Sequence, residues 1–130
     1  MEFVVACATN DKVKFLGDHF GDAEYYCIYK LDSNGYELIE TINNTTEEED
    51  EEIHADPKKA KGITQLLKVK KVNVVMTKVF GPNIKRIRKK FVSVLTKKDT
   101  LEEALTILVN NTKLLEETLN AGEERELIRL

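Results

Sequence analysis

Tryptophan is absent from this chain of 130 residues, proline and cysteine occur twice each, and glycine occurs six times. So little proline and glycine excludes collagen-like and low-complexity chains, and 42% apolar with 33% charged residues is a globular composition. No apolar run approaches the roughly 18 residues that span a bilayer. The opening MEFVVACATNDK carries an acidic second residue and a short apolar run, without the basic start of a secretory signal, so a cytoplasmic protein is expected. In that reducing compartment Cys7 and Cys27, on different predicted strands, are expected as free thiols. The length suits one core, hence a single domain over 1–120, with an acidic loop at 44–56 inside it and a tail at 121–130.

Enzyme signatures are also missing. A nucleophile elbow needs GxSxG, a P-loop needs GxxxxGK[ST] and a dinucleotide fold needs its glycine fingerprint; none is present. The central segments FVVACAT and VNVVM hold no acidic residue, as two-metal nuclease chemistry would require. Without CxxC, HExxH or paired histidines a closed zinc site is not expected. A non-enzymatic protein is the expectation.

Acidic residues are absent from one long segment. Between 57 and 98 there are 14 Lys or Arg and no Asp or Glu, while the rest of the chain carries a net charge of −17, giving −3 overall. Such a cationic segment suits an anion, whether nucleic acid, an acidic protein or a negatively charged metal cluster. Alternatively the acidic flanks lie against it and neutralise it.

The apolar pattern reads as strand, hairpin, helix, strand, helix, strand, helix. FVVACAT from Phe3 is short, apolar and bounded by turn residues, as a strand buried on both faces would be. AEYYCIYKL (23–31) and YELIETI (36–42) flank Asn34-Gly35, a hairpin turn signal. The acidic run from Glu47 to Glu52, beside His54, reads as a mobile loop. Asp56-Pro57 opens a helix whose stripe is Ile63, Leu66 and Leu67. VNVVMTKVF (72–80), a short helix after Gly81-Pro82, and FVSVLT (91–96) follow. Asp99 or Thr100 then caps a long helix with a heptad seam of Leu101, Leu105, Leu108, Leu115 and Leu119, for which a homodimer contact is expected. The fold class is three-layer α/β, with a mixed sheet of five strands and helices on both faces.

Ligands in such sheets gather at the carboxyl ends of the parallel strands. ATNDKVKFLGDHFGDA, KVFGPN and TKKDT converge there. His19 is open to three readings, as a metal ligand, a pH-sensitive group or a structural residue held by Asp18 or Asp22. Cys7 is the nearest thiolate candidate. The Gly81-Pro82 turn would offer helix-start N–H groups to an anion, with Lys78, Lys97 and Lys98 adding charge.

VVACATNDKV, LGDHFGDAEYYCIYKLD, VNVVMTKVFGP and TLEEAL together resemble the nitrogenase accessory factor family of iron-molybdenum cofactor carriers and biosynthesis proteins. The likeness spans residues 2–108 and is most specific at His19-Phe20-Gly21 with Ala23 and at 100–104. It implies a ribonuclease H-like fold and a carrier of an anionic iron-sulfur or iron-molybdenum cluster or precursor, working with cofactor-assembly proteins. The resemblance favours His19 as the ligand, so His19, Phe20, Gly21, Lys78 and Gly81 are expected to bind the cofactor, with His19 and Cys7 as metal ligands. The chain departs from the family's glycine-rich turn at KVFG and from its histidine-rich loop at EEEDEE. Interaction with nucleic acid or an acidic protein through residues 57–98 is the alternative.

Overall fold

β1 (Phe3–Thr9) has almost no polar side chain and almost no solvent contact, so it must lie inside a sheet with both faces covered. The computed structural model, which describes residues 1–44 and 56–130 with side chains from 62 onward in the second segment, places it there. The acidic run Glu47–Glu52 and His54 lie outside the described residues. β2 (Tyr25–Asp32) runs antiparallel to β1, and β3 (Gly35–Asn43) antiparallel to β2. The hairpin closes on Ser33 and Asn34, one residue before the expected pair, with the Asn34 N–H donating to Asp32 Oδ1 at 2.8 Å. β4 (Val74–Thr77), β5 (Val92–Leu95) and β6 (Ile128–Arg129) continue from β1 in parallel, giving the order β3-β2-β1-β4-β5-β6.

The sheet therefore has six strands, where five were expected. The sixth comes from the presumed tail. Ile128 is apolar and buried opposite Val94, and the Leu130 N–H donates to Leu95 O at 3.0 Å, so 121–130 belongs to the folded unit.

Helices cover both faces, as the three-layer expectation requires. α1 (Asp56–Val69) and α2 (Ile84–Lys90) bury Ile63, Leu67 and Ile87 against Ala6, Ala8, Tyr26 and Val75. α3 (Leu101–Val109) and α4 (Thr112–Asn120) bury Leu101, Leu105, Leu108 and Leu115 against Val5, Cys7, Met76 and Val94. α3 starts as its sequence dictates: Thr100 Oγ1 accepts from the Glu103 N–H at 3.2 Å and donates to the Glu103 carboxylate at 2.9 Å.

The single long C-terminal helix is corrected to two. Asn110 and Asn111 interrupt it, their side-chain amides donating to Thr106 O at 3.1 Å and Ile107 O at 2.8 Å, so the last carbonyls of α3 are satisfied without further helix. Of the heptad leucines, Leu101, Leu105, Leu108 and Leu115 are buried in the chain's own core and Leu119 is partly buried against it, so the seam covers the sheet. No helix among the described residues is long and apolar enough to cross a membrane.

Arg125 ties this carboxyl-terminal layer to the other one. Its guanidinium donates to Arg88 O and Lys89 O at the end of α2, at 3.1 and 2.9 Å, and to Thr118 O and Leu119 O at the end of α4, at 3.3 and 3.2 Å. Arg88 in turn donates to Arg125 O. Four carbonyls at two negative helix ends thus share one buried cation, those of α4 also accepting from the Ala121 N–H. Arg125→Ala is expected to lower stability by about 2–4 kcal/mol. Urea unfolding checks this, and a change below about 0.5 kcal/mol would contradict it.

Candidate functional site

β1 ends at Thr9, whose hydroxyl organises the chain that follows. Thr9 Oγ1 accepts the N–H of Lys12 at 2.9 Å and donates to Lys14 O, while Asp11 Oδ1 accepts the N–H groups of Val13 and Lys14 at 2.9 and 2.8 Å. Those two backbone donors hold the Asp11 carboxyl below the usual carboxylate range. The Phe15 N–H then donates to Asp99 O at 2.9 Å and the Leu101 N–H to Val13 O at 3.0 Å, so the loop after β1 is fixed to the start of α3.

The segment 19–23 crosses to the other face of the sheet. Phe20 is buried, its ring 5.2 Å from that of Tyr26 and 5.7 Å from that of Phe80. The Tyr26 hydroxyl donates to Phe20 O at 2.8 Å, and the Asn44 amide donates to both Gly21 O and Ala23 O at 2.9 Å. A one-turn 3-10 helix, Phe20–Asp22, results, closed by the Asp22 N–H donating to His19 O at 2.9 Å. Sequence reasoning missed Tyr26 and Asn44; Asn44 gives no signal, because it stands where a polar loop begins.

This anchoring leaves the His19 side chain half exposed at 49%. Its ring lies against Gly81, where an added Cβ would come within 2.6 Å of Nδ1 and 2.8 Å of Cγ. Gly81 is therefore required by close approach. Asp22 Oδ2 lies 3.9 Å from Nδ1, and Asp18 Oδ1 accepts the His19 N–H at 2.8 Å. Potential ligand atoms of Asp18, His19 and Asp22 all lie within 4.8 Å of one another.

The structure thus brings His19 and Gly81 together, leaves Gly21 in open space with its carbonyl held by Asn44, and makes Phe20 a buried anchor in place of a ligand-facing side chain. Cys7 is corrected more strongly. It is fully buried on the α3 and α4 side of the sheet, whereas Phe20 and its neighbours pack on the α1 and α2 side. Burial, with Cys27 adding to it, pushes the Cys7 thiol well above its ordinary range.

Lys78 stands at the carboxyl end of β4, its Nζ 2.6 Å from Asp99 Oδ1. That hydrogen bond, with the charge of Lys78, holds the Asp99 carboxyl below the usual carboxylate range. Lys97 and Lys98 are exposed after β5. The helix-start N–H groups expected to be free at Gly81-Pro82 are partly used, since Ile84 donates to Gly81 O and Arg86 to Asn83 O. Thr77 Oγ1, at the same strand end, is buried without a hydrogen-bond partner among the described residues.

An open mixed sheet flanked by helices, with a histidine seated on a glycine at its parallel-strand end, is an α/β fold. The sequence pattern of the family described as dinitrogenase iron-molybdenum cofactor matches residues 1–111, and the chain belongs to that family. Membership associates it with that cofactor. No curated protein matches it. Its fold is similar to the crystal structure of a Methanocaldococcus jannaschii protein provisionally described as a dinitrogenase, with TM-score 0.59 and 20% identity, covering 85% of this chain and 91% of that one.

Gly81→Ala is expected to swing the exposed His19 ring away at a cost below about 1 kcal/mol, because the ring can yield where backbone could not. Large shifts of the His19 ring resonances with an almost unchanged unfolding midpoint would show this; unmoved resonances would contradict it. The Lys78–Asp99 tie is present above the ordinary carboxylate range and is lost as pH falls through the depressed Asp99 midpoint. Lys78→Met should raise that midpoint, as read from the Asp99 carboxyl carbon resonance.

Proposed function

We propose that this protein is a non-enzymatic carrier of an anionic iron-sulfur or iron-molybdenum cluster, or its precursor, bound through His19. The observation that carries this reading is the seating of the imidazole. Gly81 and Asp22 stand on the Nδ1 side of the half-exposed ring, so Nε2 is the nitrogen that would ligate the cluster. A carboxylate beside the other ring nitrogen is the usual companion of a metal-bound histidine. Asp18 already accepts the His19 N–H, which moderates its repulsion of an anionic ligand. Lys78, Lys97 and Lys98 supply opposing charge at the strand ends, Gly81 makes room for the ring, and the open space over Gly21 suits a bulky ligand.

The strand order, with β2 antiparallel beside a β1-β4-β5 parallel set, supports a ribonuclease H-like arrangement extended by β6. The reading assigns no chemical step. A half-exposed ligand histidine suits transfer between cofactor-assembly proteins in the cytoplasm, where Cys7 and Cys27 remain thiols.

A second reading rests on α2. Lys85, Arg86, Lys89 and Lys90 are exposed and have no acidic partner among the described residues, so this helix would suit nucleic acid or an acidic protein. Lys70 and Lys78, by contrast, pair with Glu40 and Asp99.

Anaerobic reconstitution with iron, sulfide and molybdate, followed by metal analysis, separates the two. The cluster reading expects stoichiometric metal in the wild type and at least about tenfold less in His19→Ala, with the fold intact. Equal metal in both contradicts it, and binding of nucleic acid that weakens steeply with salt without needing His19 favours the second reading.

A further inference from the structure

Three sulfur-bearing side chains stand in one row across the sheet, on the face opposite His19. Cys27 on β2 is directly paired with Cys7 on β1, and Cys7 with Met76 on β4. All three belong to the core under α3 and α4, with exposures of 1%, 0% and 1%. Thr41 on β3 extends the row, its hydroxyl hydrogen-bonded with Cys27 Sγ at 3.8 Å.

Directly paired residues have Cβ atoms about 4.5–5.5 Å apart. The Cys7 and Cys27 Sγ atoms lie one bond beyond Cβ and the Met76 Sδ two bonds beyond it on a flexible side chain, so all three can turn toward a common ion at bond lengths of about 2.3 Å. Two thiols and a thioether form a soft donor set, which selects Cu(I)-like ions over hard cations. The hydroxyl on Cys27 Sγ is the kind of outer partner that tunes a metal-bound sulfur.

The surroundings set the charge of the ion. Val5, Val74, Val94, Phe15 and Leu105 enclose the row, and an apolar enclosure disfavours net charge. A monovalent soft ion meets that condition if one thiol loses its proton to solvent and forms a sulfur–metal bond, while the second thiol and the thioether donate as neutral ligands. A groove of about 320 Å³, lined by Tyr29, Tyr36, Leu101 and Leu105 among others, opens on this side of the sheet, and Leu101 and Leu105 belong to the same core as the three sulfurs.

We infer that Cys7, Cys27 and Met76 form a binding site for a soft monovalent metal ion, with Cu(I) or Ag(I) as its probe. The site is independent of His19.

The test is anaerobic titration of the reduced full-length protein with Cu(I) against a competing chelator, and with Ag(I) followed by native mass spectrometry. One ion per chain is expected, with sulfur-to-copper charge-transfer absorption. Cys27→Ser should weaken binding by at least about a hundredfold and Met76→Leu, which keeps the side-chain volume, by about tenfold, while His19→Ala leaves it unchanged. Cys7→Ser, at the centre of the core, carries a greater risk of misfolding, and the other two variants do not depend on it. Absence of uptake by the folded wild type, full retention in Cys27→Ser, or loss in His19→Ala would each overturn the inference.

Discussion

The structure depends on a strand that has no solvent face. β1 pairs with β2 on one side and β4 on the other, and its side chains are enclosed by α1 and α2 above and α3 and α4 below. A strand so enclosed can offer chemistry only where it ends. At Thr9 the chain leaves the sheet through a loop fixed by one hydroxyl, one carboxylate and two backbone bonds to the start of α3, and everything at the candidate site is hung from that exit.

From there the chain must place an exposed histidine without leaving it loose. Burial of Phe20 between Tyr26 and Phe80, with the Tyr26 hydroxyl and the Asn44 amide gripping the backbone, turns a surface loop into a rigid mount. Gly81 then receives the ring. The geometry explains why the HFG order matters physically: the histidine projects, the phenylalanine anchors, and the glycine carbonyl is taken by Asn44. Such mounting of a half-exposed donor fits the proposed carrier role, which asks that a ligand be held firmly and yet openly enough to leave.

Much of this was legible in the sequence. The apolar run of β1, the Asn34-Gly35 turn signal and the cap at Asp99 or Thr100 each specify their element locally, and the structure follows them within a residue or two. The departures arise where local pattern and tertiary packing compete. Leu101 to Leu119 keep a heptad spacing, yet Asn110 and Asn111 offer the helix end its own partners and split it. Ile128 looked like part of a polar tail because a two-residue strand leaves no periodicity to read. Cys7 is the nearest thiol to His19 along the chain, yet alternation along β1 sends it to the face away from the anchor of His19. Arg125 gave no local signal, since the four carbonyls it caps lie on α2 and α4 and its role exists only after folding.

The central claim is that ligand binding occurs at the end of β1 and β4, on His19. Paramagnetic broadening in an amide NMR spectrum tests it most directly, by comparing the protein loaded anaerobically with a paramagnetic iron-sulfur cluster to the unloaded protein. The account predicts that broadening centres on the amides of residues 18–22 and on Gly81. Broadening centred on α2, with residues 18–22 unaffected, would contradict it.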